Sequence, residues 1–243
     1  MEDYDAATYG ERVAGVYDEI TEGRFDVAAT VDLLAELVGD GRALELAIGT
    51  GRLALPLAGR GVPVDGIDVS VAMIARLQAK PGGDAIQVTM GNFADVGVEA
   101  RYRLIFLAFN TFFALLSQDE QIRCFTNVAK HLDGHGMFLL EAFVPDLALF
   151  DRGQRISALD VGADRVRLDV SRHDAVNQRV DASHIVLTGA GVKLYPVSLR
   201  YAWPTELDLM ARMAGLRLLH RWAGWHKEAF GSDSGTHVSV YGK

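Results

Sequence analysis

In one short stretch the chain places an acid inside an apolar run (Glu45), two glycines one residue apart (Gly49 and Gly51), and a second acid after the next apolar run (Asp68). Two glycines so spaced let the backbone turn sharply and let a ligand approach without a Cβ in the way. An acid at the carboxyl edge of a strand can accept hydrogen bonds from both hydroxyls of a ribose. The combination is built to hold a nucleoside. The elements that must position it are a strand over 43–48, a helix over about 52–58 and a strand over 62–69. That helix would direct its N-terminal amides and positive dipole end over the turn.

The rest of the chain repeats the pattern. Residues 86–90 read as a strand running into Asn92-Phe93, and 104–109 as a wholly apolar strand, buried on both faces, running into Asn110. Ser117 then caps a helix with acids in its first turn and Lys130 and His131 in its last, before a strand over 137–143. A helical preface over 5–38, broken into two helices at Glu22-Gly23-Arg24, comes before all of this. After it, 166–176, 179–188 and 192–202 alternate as strands between tight turns and read as an antiparallel insert of three strands. A helix opened by Pro204 and Thr205 and a hairpin (216–222, 237–241) close the chain. The fold class expected is α/β. It has a doubly wound, mostly parallel seven-stranded sheet, an N-terminal helical cap and an inserted antiparallel three-stranded sheet. The units are a cap over 1–40, a nucleoside-binding core over 41–150, the insert over 160–202, and the core's last helix and hairpin over 203–243.

Composition narrows the chemistry. A formal charge of −8 in 243 residues argues against a phosphate-backbone partner. One cysteine, Cys124, on an amphipathic helix, excludes an internal disulfide and a cysteine metal site, so no metal is expected. The start is polar and acidic, unlike a signal peptide, and no window approaches the roughly 20 apolar residues of a membrane span. A cytoplasmic setting is the expectation.

Alone, Gly49-x-Gly51-x-x-Ala54 with Asp68 also fits a dinucleotide site. Glu45 within the first strand, a polar edge at Asn92-Phe93 placed to read an adenine, and the terminal hairpin in place of a second mononucleotide half favour another nucleoside. ELAIGTGR, GIDVS, GNFAD, a strand ending FN and HLDGHGMFLLE, in that order over roughly 43–143, resemble the class I S-adenosylmethionine-dependent methyltransferases. The resemblance implies S-adenosylmethionine as cofactor, Gly49 and Gly51 against its methionine part, and Asp68 on its ribose. It also implies Val69 and Met73 near the adenine, Asn92 and Phe93 at its polar edge, and Phe109 beside the sulfonium. Glu45 stands for the acid that orders the loop or the amino group; Ala47, Arg52 and Tyr17 complete the cofactor-binding candidates.

Tyr9, Tyr17-Asp18 and Gly23-Arg24 are similar to the cap of the small-molecule branch that includes sugar N,N-dimethyltransferases. There the first tyrosine faces the methyl group and the acceptor. Those enzymes carry a histidine after the fourth strand where this chain has Leu115. Tyr9 and His173 are the catalytic candidates for a base, and Asn110, Arg200 and Tyr201 the acceptor-binding ones. Arg200 shares a strand face with Leu194 and Ser198, a lone cation suited to an anionic group. The function expected is methyl transfer to an N or O nucleophile on a small molecule. An NAD-dependent oxidoreductase, which would need an absent Tyr-x-x-x-Lys pair, and a nucleoside-binding protein without catalysis are the alternatives. The insert is the candidate surface for a homodimer.

Overall fold

The computed structural model describes residues 4–243; the first three residues of the expected cap lie outside the described residues. Seven strands form one sheet: β1 (Ala43–Leu46), β2 (Val64–Asp68), β3 (Gln87–Met90), β4 (Tyr102–Leu107), β5 (Leu132–Phe143), β10 (Arg217–Trp222) and β11 (Thr236–Gly242). Their order is β10-β11-β5-β4-β1-β2-β3, with the first five strands parallel and β11 antiparallel to both neighbours. The order reverses beside β1, so β1 and β4 end at the crevice where open α/β sheets bind ligands. Apolar side chains fill both faces. Phe112, Phe125 and Phe138 lie in the cluster on one face, Leu34, Leu57 and Phe106 in that on the other.

Three helices, not the two expected, precede the sheet: α1 (Thr8–Val13), α2 (Tyr17–Thr21) and α3 (Val27–Val38). Asp26 caps α3 by accepting from the Ala29 amide. The helices between strands are α4 (Ala54–Ala58), α5 (Val71–Gln78) and α6 (Gln118–His131). Ser117 and Glu120 form a reciprocal capping box at the start of α6. α7 (Pro204–Met213) opens with its proline at the first turn.

The insert has four strands, a correction to the three expected: β6 (Gln154–Val161), β7 (Arg165–Asp174), β8 (Arg179–Thr188) and β9 (Gly191–Arg200), in sequential antiparallel order. The pairing of β6 with β7 slips between Ala158 and Asp160, which breaks the period-2 alternation by which a strand is recognised. Val180 and Leu199 pack against the core of the first sheet, and Tyr195 packs with Val13 and Met73. That face of the second sheet therefore looks toward the N-terminal helices and the strand edges.

Candidate active site

The glycine turn is a run of left-handed backbone. β1 stops at Leu46, and Ala47, Gly49 and Gly51 have φ of 55°, 57° and 76°. A Cβ on Gly51 would lie 2.2 Å from Leu77 Cδ1, whereas one on Gly49 would meet nothing nearer than the Ala47 carbonyl at 4.0 Å. The turn thus presses on α5 at Gly51 and is open at Gly49. Asp68 ties it to β2: its Oδ2 accepts from the Gly49 amide at 2.7 Å and its Oδ1 from the Ser70 amide at 2.8 Å. Burial nevertheless raises the Asp68 pKa, and each oxygen retains a lone pair for a further donor.

Under the turn lies a polar cluster with unused hydrogen-bonding capacity. Strand alternation puts Glu45 of β1 and Glu141 of β5 on the face that carries Phe106 and Leu139. Glu45 is buried, burial pushes its pKa up to about 8, and its Oε2 has no partner. Arg52 donates through Nη2 to the Tyr17 hydroxyl at 3.3 Å, but its buried Nε and Nη1 donate to nothing. Its guanidinium sits 3.4 Å from the ring centre of Phe109 and 4.5 Å from that of Phe25. An aromatic face so placed favours a cation.

Phe109 and Asn110 both hold left-handed backbone, with φ of 60° and 63°. Such conformations cost about 1–3 kcal/mol each and need support. Glu141 provides it, accepting from the Phe109 amide at 2.7 Å through Oε2 and from Trp225 Nε1 at 3.1 Å through Oε1. Asn110 Oδ1 accepts from the Phe143 amide at 2.6 Å. The carboxamide oxygen of Asn92 likewise closes its own turn by accepting from the Ala94 amide at 2.9 Å. Phe93 is half-buried against the core, Val69 is half-buried and Met73 is buried beside Val13.

The N-terminal helices are fastened over this edge. Asp18 accepts from Thr50 Oγ1 at 2.6 Å and pairs with Lys80 at 2.8 Å, while Lys80 also donates to the Thr50 carbonyl at 2.8 Å. Glu11 accepts from Ser70 Oγ at 2.8 Å and from the Ala72 amide at 3.2 Å. Gly10 permits the approach, since a Cβ there would stand 2.6 Å from Ser70 Cβ. Tyr9 is half-buried among these helices, and burial raises its pKa well above the ordinary tyrosine value.

The other acceptor-side candidates are placed elsewhere. His173 Nε2 lies 2.9 Å from the Tyr201 hydroxyl and its ring stacks on Phe150 at 4.9 Å; it shares no hydrogen-bond or ring partner with Tyr9. Tyr201 is almost fully buried, and burial raises its pKa. Arg200 is not the lone cation expected. It pairs with Glu206 at 2.9 Å and donates to Gln121 Oε1 at 2.6 Å and Gln178 Oε1 at 2.9 Å. The strand carries the guanidinium on the expected face, but α6 and α7 close over it and take up both terminal nitrogens. Leu115 is buried in the core. Sequence reasoning missed Phe25, Lys80, Glu11, Glu141 and Trp225; of these Glu141 carried a readable signal, an acid inside an apolar strand, as at Glu45.

Residues 43–136 match a family model described as a methyltransferase domain. The structure superposes on that of the CcbJ methyltransferase from Streptomyces caelestis with a TM-score of 0.92, 40% identity, and 98% of each chain covered. This chain belongs to the class I S-adenosylmethionine-dependent methyltransferases. Similarity extends to the cypemycin N-terminal methyltransferase of a Streptomyces species, 28% identical over 84% of this chain and 87% of that protein. It also extends in fold to an amino pentose methyltransferase from Micromonospora echinaspora solved with S-adenosylmethionine bound, at a TM-score of 0.69, 20% identity, and 93% and 96% coverage. None of these matches favours the oxidoreductase or the binding protein without catalysis.

The residues present suit the methyltransferase's cofactor. Its methionine end carries an ammonium and a carboxylate, and the orphaned groups at the turn are a carboxylate oxygen (Glu45 Oε2) and two guanidinium nitrogens (Arg52 Nε and Nη1). Among the described residues no helix is long and apolar enough to cross a membrane.

Proposed function

We propose that this methyltransferase modifies an N or O nucleophile on a small molecule, with nitrogen the better supported. The observation that carries the reading is the state of Tyr9. A tyrosine hydroxyl is already protonated at neutral pH and burial holds it further from ionising, so it can donate a hydrogen bond but is no base. A neutral amine needs no base to attack, whereas a hydroxyl benefits from one. The names of two relatives, an N-terminal methyltransferase and an amino pentose methyltransferase, agree with an amine.

In this reading Glu45 and Arg52 hold the amino-acid end of the cofactor and Asp68 its ribose. Ala47, Gly49 and Gly51 give it room. Val69 and Met73 flank the adenine, with Asn92 and Phe93 at its polar edge. Bound there, S-adenosylmethionine supplies an electrophilic methyl group on a sulfonium. Phe109 offers the ring face that now receives the Arg52 guanidinium, Tyr17 steadies Arg52, and Tyr9 orients the acceptor's lone pair. The N-terminal helices exclude water, so the protein's contribution is alignment more than proton transfer. The domain boundaries at 40, 150 and 203 belong to the same reading, with the insert, expected from 160, beginning instead at β6, and with Asn110 supporting the turn at Phe109. A reducing, cytoplasmic setting is supported by the one cysteine, Cys124, kept fully buried as a thiol.

The test is transfer of labelled methyl from S-adenosylmethionine to matched small amines and alcohols, with Tyr9→Phe beside the wild type. Amines are expected to be the substrates, and Tyr9→Phe to lower kcat several-fold with unchanged cofactor affinity. Methylation confined to alcohols, with a steep rise in rate toward alkaline pH, would overturn the amine reading.

We also propose a homodimer through the second sheet. On the face opposite Tyr195, Ile156, Val161, Val192 and Leu194 are 72%, 74%, 62% and 55% exposed. Strand register sets Val166 and Leu187 in the same rows. A sheet face this apolar is a surface that association buries. Sedimentation should give a dimer for the wild type and a monomer for Leu194→Glu; a monomeric wild type would end the idea.

A further inference from the structure

Between α2 and the second sheet is a hollow of about 540 Å³ that none of the roles above uses. Val16, which precedes α2, and Ile20 within it form one apolar wall, and Val186 and Tyr195 of the sheet the other. Four cationic side chains line it, Arg24, Arg165, Arg167 and Lys193, against two acids, Glu19 and Glu22. That excess of positive charge stands out in a chain of net charge −8.

Register explains how the cations converge. Arg167 on β7, Val186 on β8 and Lys193 on β9 lie directly opposite one another in one row, and Arg165 is two residues from Arg167 on the same face. This is the face that carries Tyr195 against the N-terminal helices. The charges are only partly met. Arg165 and Arg167 share the single carboxylate of Asp160, at 3.2 and 3.5 Å, and Arg167 Nε is buried with no hydrogen bond. Arg24 and Lys193 have no ion pair among the described residues.

The hollow is also well placed. α2 is its wall, and the next residues of that helix, Tyr17 and Asp18, contact Arg52 and Thr50 at the glycine turn. A helix is about 10 Å across, so the two sites are within the span of one small molecule.

We infer that this hollow binds an anionic group, a carboxylate or a phosphate, carried by the methyl acceptor on an apolar body. The inference rests on the small-molecule reading above. Guanidinium and ammonium groups that lack full pairing match such an anion, and the apolar walls match the body that bears it.

The test uses the enzyme saturated with S-adenosylhomocysteine and titrated with benzoate, phenyl phosphate or benzyl alcohol. The anionic probes should bind and the neutral one should not; whichever anion binds more tightly identifies carboxylate or phosphate. An Arg167→Gln, Lys193→Gln double variant should lose about tenfold in anion affinity, as expected for a charge-assisted contact, while S-adenosylhomocysteine affinity stays within about twofold. Single Lys193→Gln, on an exposed strand position, serves should the double variant fail to fold. Equal binding of benzyl alcohol, or anion binding unchanged in the variants, overturns the inference. Methylation of amino acids against their amides separates the two readings. A preference of about tenfold for the acids, lost in the variants, supports the hollow. Transfer to acids and amides alike keeps small-molecule methylation and sinks the anion site, and anion binding without any transfer keeps the site and sinks the function.

Discussion

Arg52 and Arg200 both put a guanidinium at a strand end, and their surroundings differ in one respect. Arg200 has both terminal nitrogens of its fork bonded, to Glu206, Gln121 and Gln178. Arg52 has one weak donor contact and two buried nitrogens without partners, beside a carboxylate oxygen in the same condition. A buried polar group left unpaired costs free energy, so it persists where a ligand completes the set. A completed network is structure; an incomplete one is a site. The proposed place of the methyl donor at the glycine turn fits this contrast, and the arginine of the second sheet is a clasp between β9, α6 and α7.

The sharpest way to break the contrast is to remove the clasp. Arg200→Met leaves Glu206 part-buried without its partner. Burial alone would raise the Glu206 pKa, and the hydrogen bonds from Gln178, Arg200 and Gln118 are what hold it below the usual range. Loss of one member of such a pair costs about 3 kcal/mol, so thermal unfolding should shift down by roughly 10 °C. Cofactor affinity should not change, as read by calorimetry with S-adenosylhomocysteine. A stable variant that loses only acceptor turnover would return Arg200 to the acceptor site. The second substitution, Asp68→Ala, should act in the opposite sense. Cofactor affinity should fall tenfold or more, since both the proposed ribose contact and the bond that shapes the Gly49 turn are lost. Unchanged affinity would remove Asp68 from the binding set.

The same contrast marks what the residue pattern could reveal. The parallel core was legible because its strands are nearly continuous apolar runs punctuated by glycines, and the capping box of α6 is a local signal. Asp68 and Glu45 were legible as acids at a strand's edge and inside a strand. β6 was not, because its bulge shifts the alternation midway. The break between α1 and α2 was hidden too, since Val13, Val16, Tyr17 and Ile20 keep helical spacing straight through it. Arg200 was placed on the right strand face, but its partners come from elements up to 79 residues away in the chain, and no local pattern reports them. Glu141 could have been found by the rule that found Glu45. Phe25, an aromatic residue in a polar turn, offered no signal of its contact with Arg52.

The finest test concerns Glu45, because its charge state separates a structural acid from a binding one. Burial raises its pKa from 4.5 to about 8, although Arg52 and the Ala54 amide work against the rise. The folded protein therefore keeps this proton while the unfolded chain releases it near 4.5. The resulting stability is full below that pH, declines as pH rises toward 8, and is flat beyond. An ammonium group arriving at Oε2 prefers the ionised carboxylate, so binding at pH 7 must expel the proton. S-adenosylhomocysteine affinity should accordingly rise well over tenfold between pH 6 and pH 8. Calorimetry in buffers of different ionisation enthalpy should show close to one proton released. Glu45→Gln should abolish both the release and the slope, and it should leave the protein at least as stable at pH 8, where no charge then has to be buried. Affinity that ignores pH in the wild type would mean that Glu45 only orders the turn, and that Arg52 holds the cofactor's amino-acid end through its carboxylate alone.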